Sequence, residues 1–172
     1  MGTIIAVAAA ALLLVLYYIS VNNREVALRK EADAQRGTIE TVHDTMWKTL
    51  KQEAGVTEQY REAFEKIYPE LISGRYSDNG GQLMKIIHES NPTFDNSLYQ
   101  HLMQSIDVQR ASFAQAQQRM LDIIREHSTL LETIPAKFFL GGKQKIDYTV
   151  ISSTISKETM RTGIDDTVEL FK

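Results

Sequence analysis

The side chains best suited to metal binding or proton transfer are four histidines: His43, His88, His101 and His127. Metal-binding helices place two such ligands on one face, as in the H-E-x-x-H motif, and none of the four has comparable spacing. His43 stands beside Asp44 and His127 beside Glu126, but adjacent side chains on a helix diverge and do not form an acid–base pair. We interpret the histidines as solvated or helix-capping, and both pairs as surface residues.

Nucleophiles and phosphate-binding loops leave no clearer signal. The chain has no cysteine, which excludes disulfides, thiolate metal sites and cysteine nucleophiles. It contains neither a G-x-S-x-G elbow nor a G-x-x-x-x-G-K-[ST] loop, and its paired glycines are typical of turns. We therefore predict no catalytic, cofactor-binding or metal-binding residue and a protein that is not an enzyme. An enzyme with an unrecognised site is a remaining alternative.

Composition indicates a folded protein without a basic surface field. The 172 residues are 43% hydrophobic and 24% charged, and the net charge is −3. Those fractions are typical of globular chains, which bury enough apolar surface to offset the entropy of ordering. A negative net charge gives no general attraction to phosphates, so we predict no binding to nucleic acid.

The element that must position the rest of the chain is an N-terminal apolar run. Residues 3–21, TIIAVAAAALLLVLYYISV, contain no charged side chain. At about 1.5 Å per helical residue they reach about 28 Å, close to the thickness of the hydrocarbon core of a bilayer. No basic residue precedes the run and bulky residues close it, which favours an uncleaved transmembrane anchor over a signal peptide. The residues assigned to the anchor are Thr3, Leu12, Leu13, Leu14, Tyr17 and Tyr18.

Basic residues beside a span set its orientation, because they are retained in the cytoplasm. Arg24, Arg29, Lys30 and Arg36 follow the run and none precedes it. We therefore predict a single-pass protein of a bacterial inner membrane, with its N-terminus outside and its body in the cytoplasm. Acidic residues among these cations dilute the bias, and a periplasmic body is the alternative.

The body begins with two predicted helices. Apolar residues at three- or four-residue spacing continue the anchor into the first: Leu28, Ala32, Ile39, Val42, Met46 and Leu50. A bend is expected at Gly37, with Thr38 available to cap a restart if the helix breaks there. Gly55 should end the helix and Thr57 should cap the second one, which Pro69 should kink or restart.

A long late helix is the clearest element of the body. Residues 73–81, SGRYSDNGG, predict a loop and residues 82–89 a short helix. Residues 95–132 contain no Gly or Pro, and apolar residues recur there at heptad-like, coiled-coil intervals: Tyr99, Leu102, Ile106, Phe113, Ala116, Met120, Ile124 and Leu131. A helix of this length, over about 50 Å, can pack antiparallel along the first helix in a four-helix-like bundle.

The C-terminal tail has a different character. Residues 146–155, IDYTVISSTI, are rich in β-branched side chains and predict an extended segment. It is docked on the bundle, paired with another copy or loosely ordered, and one helical turn is expected before Gly163. The predicted all-α organisation is an anchor at 1–21, a helical bundle at 22–139 and an extended or irregular tail at 140–172.

Two groups of residues are candidates for contacts with partners. Arg110, Gln117 and Arg119 lie in the long helix among further glutamines. Solvation is the ordinary interpretation of such residues, and hydrogen bonding to a second copy is the alternative. Met46 and Trp47 suit either core packing or a partner surface, and we favour core packing.

Several of these segments resemble the LemA family. Residues 110–139, RASFAQAQQRMLDIIREHSTLLETIPAKFF, are similar to its C-terminal helix. Residues 22–44, NNREVALRKEADAQRGTIETVHD, are similar to its juxtamembrane helix. The stretches MWKTLKQ, GRYSDNGG and DDTVELF are similar to a LemA-like variant from phage genomes. After Asp44 the chain departs from the commoner bacterial pattern, which has a basic helix leading into a proline.

The resemblance implies an antiparallel helical bundle behind a membrane anchor, with relatives in bacterial envelopes and no catalytic residues to carry over. We expect a non-enzymatic scaffold or adaptor that contacts the lipid bilayer, self-associates and organises an unidentified membrane or envelope protein. The alternative is a phage-encoded factor that acts on the host envelope in lysis or takeover.

Overall fold

The computed structural model describes residues 1–73, 76–152 and 154–162. The helices are α1 Gly2–Glu53, α2 Arg61–Ser73, α3 Tyr76–Ser90, α4 Tyr99–Glu132, α5 Ala136–Leu140 and α6 Thr154–Thr162. Short 3₁₀ turns at Glu58–Tyr60 and Asn96–Leu98 precede α2 and α4. No β-strand occurs within these ranges, and the predicted all-α class is confirmed.

Helix α1 joins the apolar run and the first body stripe in one element of 52 residues. Gly37 does not break it, and Thr38 caps no restart. The Thr38 hydroxyl instead donates to the carbonyl of Ala34 at 3.2 Å, a bond within the helix. Burial of stripe residues before and after Gly37 offsets the roughly 1 kcal/mol by which an interior glycine disfavours a helix.

Helix α1 ends at the glycine that the sequence indicates. Gly55 has a φ of +67°, a left-handed conformation that glycine adopts without steric cost. The N–H of Val56 donates back to the carbonyl of Leu50 at 3.3 Å. A Cβ on Gly55 would lie 2.9 Å from Nδ2 of Asn91, which donates to the carbonyl of Ala54 at 3.2 Å. Backbone conformation and close approach both require glycine here.

The start of α2 and its proline differ from expectation. Thr57 is at the N-cap position of the 3₁₀ turn Glu58–Tyr60, which precedes α2, but its side chain makes no capping bond. Its backbone N–H donates to Oγ of Ser90 at 2.8 Å. Pro69 does not restart the second helix, because α2 continues through it to Ser73. Burial of Leu71 and Ile72 beyond the proline offsets the cost of its missing donor, about 3 kcal/mol.

The predicted loop at 73–81 is wrong for its described residues, because Ser73 ends α2 and residues 76–81 belong to α3. Residues 74 and 75 lie outside the described residues. Helix α3 begins at Tyr76 and absorbs the predicted short helix at 82–89. Leu83 and Ile87 are fully buried on one face of α3. Their packing stabilises the helix, and a growing helix gains one hydrogen bond for each residue added, so local turn preference is overridden.

Helix α4 starts later than predicted and faces inward through a slightly different set of residues. The Asp95 carboxylate accepts the N–H of Ser97 at 2.8 Å in the turn before the helix. The buried stripe of α4 is Leu102, Met103, Ile106, Phe113, Ala116, Met120, Ile123, His127 and Leu131. Ile123, not the predicted Ile124, is therefore one of its buried members.

The C-terminal part is irregular before it becomes helical. Residues 144–152 form no regular element, which fits the irregular alternative for this tail and not a strand. Thr154 and Ile155, predicted as extended, belong to α6. The predicted single turn before Gly163 is a helix of 9 residues, and the sequence from 163 onward lies outside the described residues.

Contacts divide the chain into two compact units. The first, here called the ionic unit, consists of Met1–Thr38 and Ala116–Tyr148. In it Arg24 pairs with Glu126 and Arg119 pairs with Glu31. Residue numbers rise along α1 as they fall along α4, so the two helices run antiparallel in this unit.

The second unit, here called the aromatic unit, consists of Ile39–Gln115 and the chain from Thr149. Its core contains a chain of rings, with centroids 5.2 Å apart for Trp47 and Phe64, 5.6 Å for Phe64 and Tyr68, and 6.4 Å for Tyr68 and Phe113. Core packing of Trp47 and of its neighbour Met46 is confirmed, since both are buried. Phe113 is buried as predicted.

Candidate functional site

The residues predicted to form the anchor lie in the first part of α1. The side chains of Leu12, Leu13 and Leu14 are 59%, 67% and 59% exposed, and Thr3 is exposed as well. Among the described residues, α1 is the one helix that is long and apolar enough to cross a membrane, judged by length and composition. Almost none of that apolar stretch is buried within the chain. Such a surface is suited to hydrocarbon and not to water.

Apolar packing within the chain begins where the run ends. A small cluster there has four buried members: Val21, Leu131, Ala136 and Leu140. Tyr17 is partly buried against this cluster, whereas Tyr18 is 44% exposed. The two tyrosines assigned to the anchor thus lie at the boundary between exposed and packed parts of α1.

One turn beyond this cluster, α1 and α4 bury two ionisable side chains against each other. Glu25 and His127 are both 0% exposed, and Nε2 of His127 lies 3.4 Å from Oε1 of Glu25. The interpretation of His127 and Glu126 as a surface pair is therefore wrong for His127, which lies in the inward stripe of α4. Within the described part of the chain, Nδ1 of His127 and Oε2 of Glu25 have no hydrogen-bond partner.

Two cations complete the environment of Glu25. Arg29 hydrogen-bonds to its Oε1, and Nζ of Lys143 lies 3.5 Å from its Oε2. Burial raises the pKa of Glu25, but the hydrogen bonds from Arg29 and His127 and the attraction of Arg29 and Lys143 outweigh it and hold the pKa below 4.5. Glu25 is therefore a buried carboxylate that stays ionised at neutral pH. Because Arg29 and Lys143 are 37% and 44% exposed, the cluster reaches solvent on the cationic side.

The irregular segment after α5 is docked on the ionic unit by polar contacts. Nη2 of Arg36 donates to the carbonyl of Asp147 at 2.9 Å, and the Tyr148 hydroxyl donates to Oε1 of Gln117 at 3.2 Å. Docking on the helices is thus the alternative that the structure favours for the start of this segment. Both contacts are made to side chains of helices and not to a neighbouring strand. The segment is therefore held in place without a sheet, although it is rich in β-branched residues.

A groove in the aromatic unit contains the other cluster of titratable side chains. Its volume is about 570 Å³. Within it, Nε2 of His43 lies 2.9 Å from Oε2 of Glu65, and Nδ1 lies 3.4 Å from Oδ1 of Asp44. The prediction that the side chains of His43 and Asp44 diverge is therefore wrong. The imidazole ring of His43 packs edge-on against the ring of Tyr68, with the two ring centroids 4.5 Å apart. Arg61 lies 3.6 Å from Glu65, so a guanidinium group, carboxylates and an imidazole line the groove.

The groove positions a histidine between two carboxylates but does not assemble a metal site. Across the described ranges, no three His, Asp or Glu side chains are placed to hold a metal ion. His88 is partly buried and His101 is exposed, and both lie away from the groove lining. The groove can offer the guanidinium group of Arg61 and the carboxylate of Glu65 to a polar ligand.

The three residues predicted for self-association all lie on α4, and each interacts within the chain. Arg119 pairs with Glu31, Gln117 accepts the hydroxyl of Tyr148, and Arg110 also has an interaction. At about 100° per residue, Gln117 and Arg119 point about 200° apart around the helix. These two side chains therefore do not share one face, and self-association through them stays a prediction.

The sequence contained a signal for the buried pair that residue-by-residue reasoning missed. His127 stands four residues before Leu131, and Glu25 stands three before Leu28. Both are therefore at inward positions of apolar stripes, where a charged or titratable residue needs a partner. Two helices predicted to run antiparallel, each with one such residue, predict a buried contact between the two side chains.

Comparison with known proteins adds no assignment to these observations. No family model, no curated protein and no solved structure matches this chain. Its own residues provide an exposed apolar run, a buried ionic cluster directly behind it and a charged groove in the second unit.

Proposed function

We propose that this protein is a single-pass, membrane-tethered helical adaptor of the LemA type, without enzymatic activity. It self-associates and organises membrane or envelope partners at the cytoplasmic face of a bacterial inner membrane. The observation that carries the proposal is the construction of α1, in which an exposed, uncharged run passes directly into a helix of the body.

The change of environment along α1 supports the anchor. The run at 3–21 contains no charge, and charged side chains begin immediately after it with Arg24 and Glu25. Residues before Val21 are exposed almost throughout, and residues after it alternate between buried and exposed as in an amphipathic helix. This is the pattern of a helix that leaves hydrocarbon and enters protein.

Burial of His127 supports an adaptor over an enzyme, because a side chain with no exposed surface cannot reach a substrate. His127 is buried and directed at Glu25, and His43 lies between Asp44 and Glu65. In each case the histidine is engaged by carboxylates of the same unit. The segments that resemble LemA proteins include the antiparallel parts of α1 and α4 in the ionic unit, which is the arrangement that the resemblance implies.

Membrane extraction tests the anchor. The variant Ala10→Arg/Leu13→Arg puts two charges into the run, and each costs about 2.5 to 3.5 kcal/mol at the centre of a span. The matched control, Ala114→Arg/Gln118→Arg, adds the same charges at exposed positions of α4. We expect the wild type and the control to remain in alkaline-washed membranes and the anchor variant to be lost from them. A wild-type protein in the soluble fraction would contradict the anchor.

Single cysteines test the orientation, because the natural chain has none. We expect a membrane-impermeant maleimide to label Gly2→Cys in intact spheroplasts, and Val108→Cys only after lysis. Val108 is 67% exposed, so its labelling is limited by the membrane and not by burial. The opposite pattern would place the body in the periplasm.

Light scattering of the detergent-extracted full chain tests self-association. We expect a protein mass that is a multiple of 19.5 kDa. Arg110→Glu should lower that mass, whereas Arg125→Glu, at a side chain that is 79% exposed on the same helix, should not. A wild-type mass of one chain would contradict the self-associating part of the proposal.

A further inference from the structure

Helix α5 and the loop before it present large apolar side chains to solvent. Phe138 is 78% exposed and Ile134 is 73% exposed, although both are as hydrophobic as residues of the core. Ala136 and Leu140 of the same short helix are buried in the cluster that contains Val21. Helix α5 is therefore fixed to the chain by one side and leaves an apolar side uncovered.

Helix α5 itself lies beside the end of the apolar run. The ring centroid of Phe139 is 5.9 Å from that of Tyr17 and 5.9 Å from that of Tyr18. The rise from Tyr17 to Val21 is about 6 Å, so these tyrosines occupy the last turn of the run. Helix α5 is thus at the level at which an anchor formed by this run leaves the hydrocarbon.

The side chains at this level are those that favour a membrane interface. Aromatic rings concentrate where hydrocarbon meets the headgroups, and lysine stems reach from there to anionic lipid. Lys137 is exposed and adjacent to Phe138. Tyr17, Tyr18 and Phe139 supply three rings within one group of contacts. Continuity with the run favours lipid as the occupant over a second protein copy.

We propose that α5 is a second membrane contact, in which Ile134 and Phe138 enter the interfacial layer of the leaflet where the anchor ends. Lys137 lies at the level of anionic headgroups. This inference rests on the proposed transmembrane anchor. Its consequence is that the ionic unit touches the bilayer at two points, so that it cannot turn freely about the axis of α1.

Fluorescence quenching in vesicles tests this proposal with the full chain. An environment-sensitive fluorophore is attached to single cysteines in Phe138→Cys, Leu12→Cys or Gln118→Cys protein, reconstituted in phosphatidylethanolamine and phosphatidylglycerol. Lipids carry a nitroxide quencher either near the headgroup or near the end of the acyl chain. Gln118 is the matched control, because it is exposed in the same unit but lies about 20 Å along α4 from Leu131.

We expect the shallow quencher to remove most of the fluorescence at position 138, the deep quencher to act most strongly at position 12, and neither to affect position 118. Quenching at 12 without quenching at 138 overturns the second contact and leaves the anchor in place. A blue-shifted but unquenched signal at 138 also overturns it, because protein then covers the helix. Absence of quenching at 12 overturns the anchor itself.

Discussion

The same two helices, α1 and α4, build the cores of both units, and they do so with opposite chemistry. In the ionic unit they bury Glu25 against His127. In the aromatic unit they bury Trp47 and Phe113, and the contact between Nε2 of Gln109 and Oγ1 of Thr49, at 2.7 Å, is partly buried and uncharged. The difference shows that an antiparallel pair of helices tolerates a charged layer where several partners converge on it.

The two kinds of core differ in how strictly they fix the positions of the helices that form them. Aromatic packing stabilises in proportion to buried area and tolerates small shifts between helices. A buried carboxylate requires its partners at fixed positions, and a shift of one residue along α4 would leave Glu25 without His127. We infer that the contact between Glu25 and His127 fixes the register of α1 and α4 within the ionic unit.

The largest effect should come from a charge in the aromatic unit. Phe113 is 1% exposed, and truncating a buried Phe costs about 3 to 5 kcal/mol before the cost of a buried charge is added. This is a large part of the roughly 5 to 15 kcal/mol that stabilises a typical domain. We expect Phe113→Asp to unfold this unit, as measured by thermal melts of the detergent-solubilised full chain with circular dichroism.

The matched control for that variant is Ala114→Asp, at the next position of α4. Ala114 is exposed, so the same charge should change stability by less than about 0.5 kcal/mol. Similar melts for the two variants would show that the inward face of α4 has been assigned incorrectly.

Removing one partner of the buried pair should have the next largest effect. We expect Glu25→Leu or His127→Leu to lower the free energy of unfolding by about 3 kcal/mol, because each leaves polar groups of the cluster without their partner. The double variant Glu25→Leu/His127→Leu should recover most of the loss, since two packed apolar residues often match a buried ion pair in stability. Urea titrations of the four proteins measure this coupling, and additive losses would contradict it.

Acid should weaken the ionic unit through the same carboxylate. The pKa of Glu25 lies below 4.5 in the folded chain, so its ionised form contributes stability above pH 4.5. That contribution is lost as the pH falls from 4.5 through the lower folded value. The wild type should therefore lose stability in acid relative to the double Leu variant, which lacks this carboxylate. A constant difference between them over that range would contradict this assignment.

The smallest effect should come from the exposed pair beside the buried one. Arg24 and Glu126 are each 50% exposed, and water and salt screen pairs of this kind to about 0.5 kcal/mol. We expect Arg24→Gln to change the urea midpoint only slightly and to lose even that effect at high salt. If Arg24→Gln lowered the free energy of unfolding as much as Glu25→Leu does, the difference in burial between these two neighbouring pairs would have no effect on stability.

Helix class, the long α4 and most of the buried faces could be predicted from the sequence, because apolar periodicity reports directly on burial. Phe113 and Met120 illustrate this, since both lie at stripe positions and both are buried. The helical conformation of residues 76–81 could not be predicted in the same way. The glycines of this segment favour a turn locally, but packing of Leu83 and Ile87 extends α3 toward Tyr76.

The ionic cluster was harder to predict because its members are distant in sequence. Arg29 is one helical turn from Glu25, but His127 and Lys143 reach it only after α4 and the loop beyond α5 have folded. Composition and adjacency cannot report such contacts. Glu25 lies at a position of the apolar stripe of α1, and His127 lies at a position of the apolar stripe of α4. Only a comparison of these two stripes indicates that the two residues face each other.

The absence of a linker in α1 between Tyr18 and Glu25 has a mechanical consequence. These residues are about 10 Å apart along one uninterrupted helix. A bilayer thinner than the apolar run makes a span tilt, and a rigid helix transmits that tilt as a lever. Glu25 would swing with the span, while His127 is carried by α4. If the run forms the proposed anchor, bilayer thickness is therefore a variable to which the buried contact between Glu25 and His127 should respond.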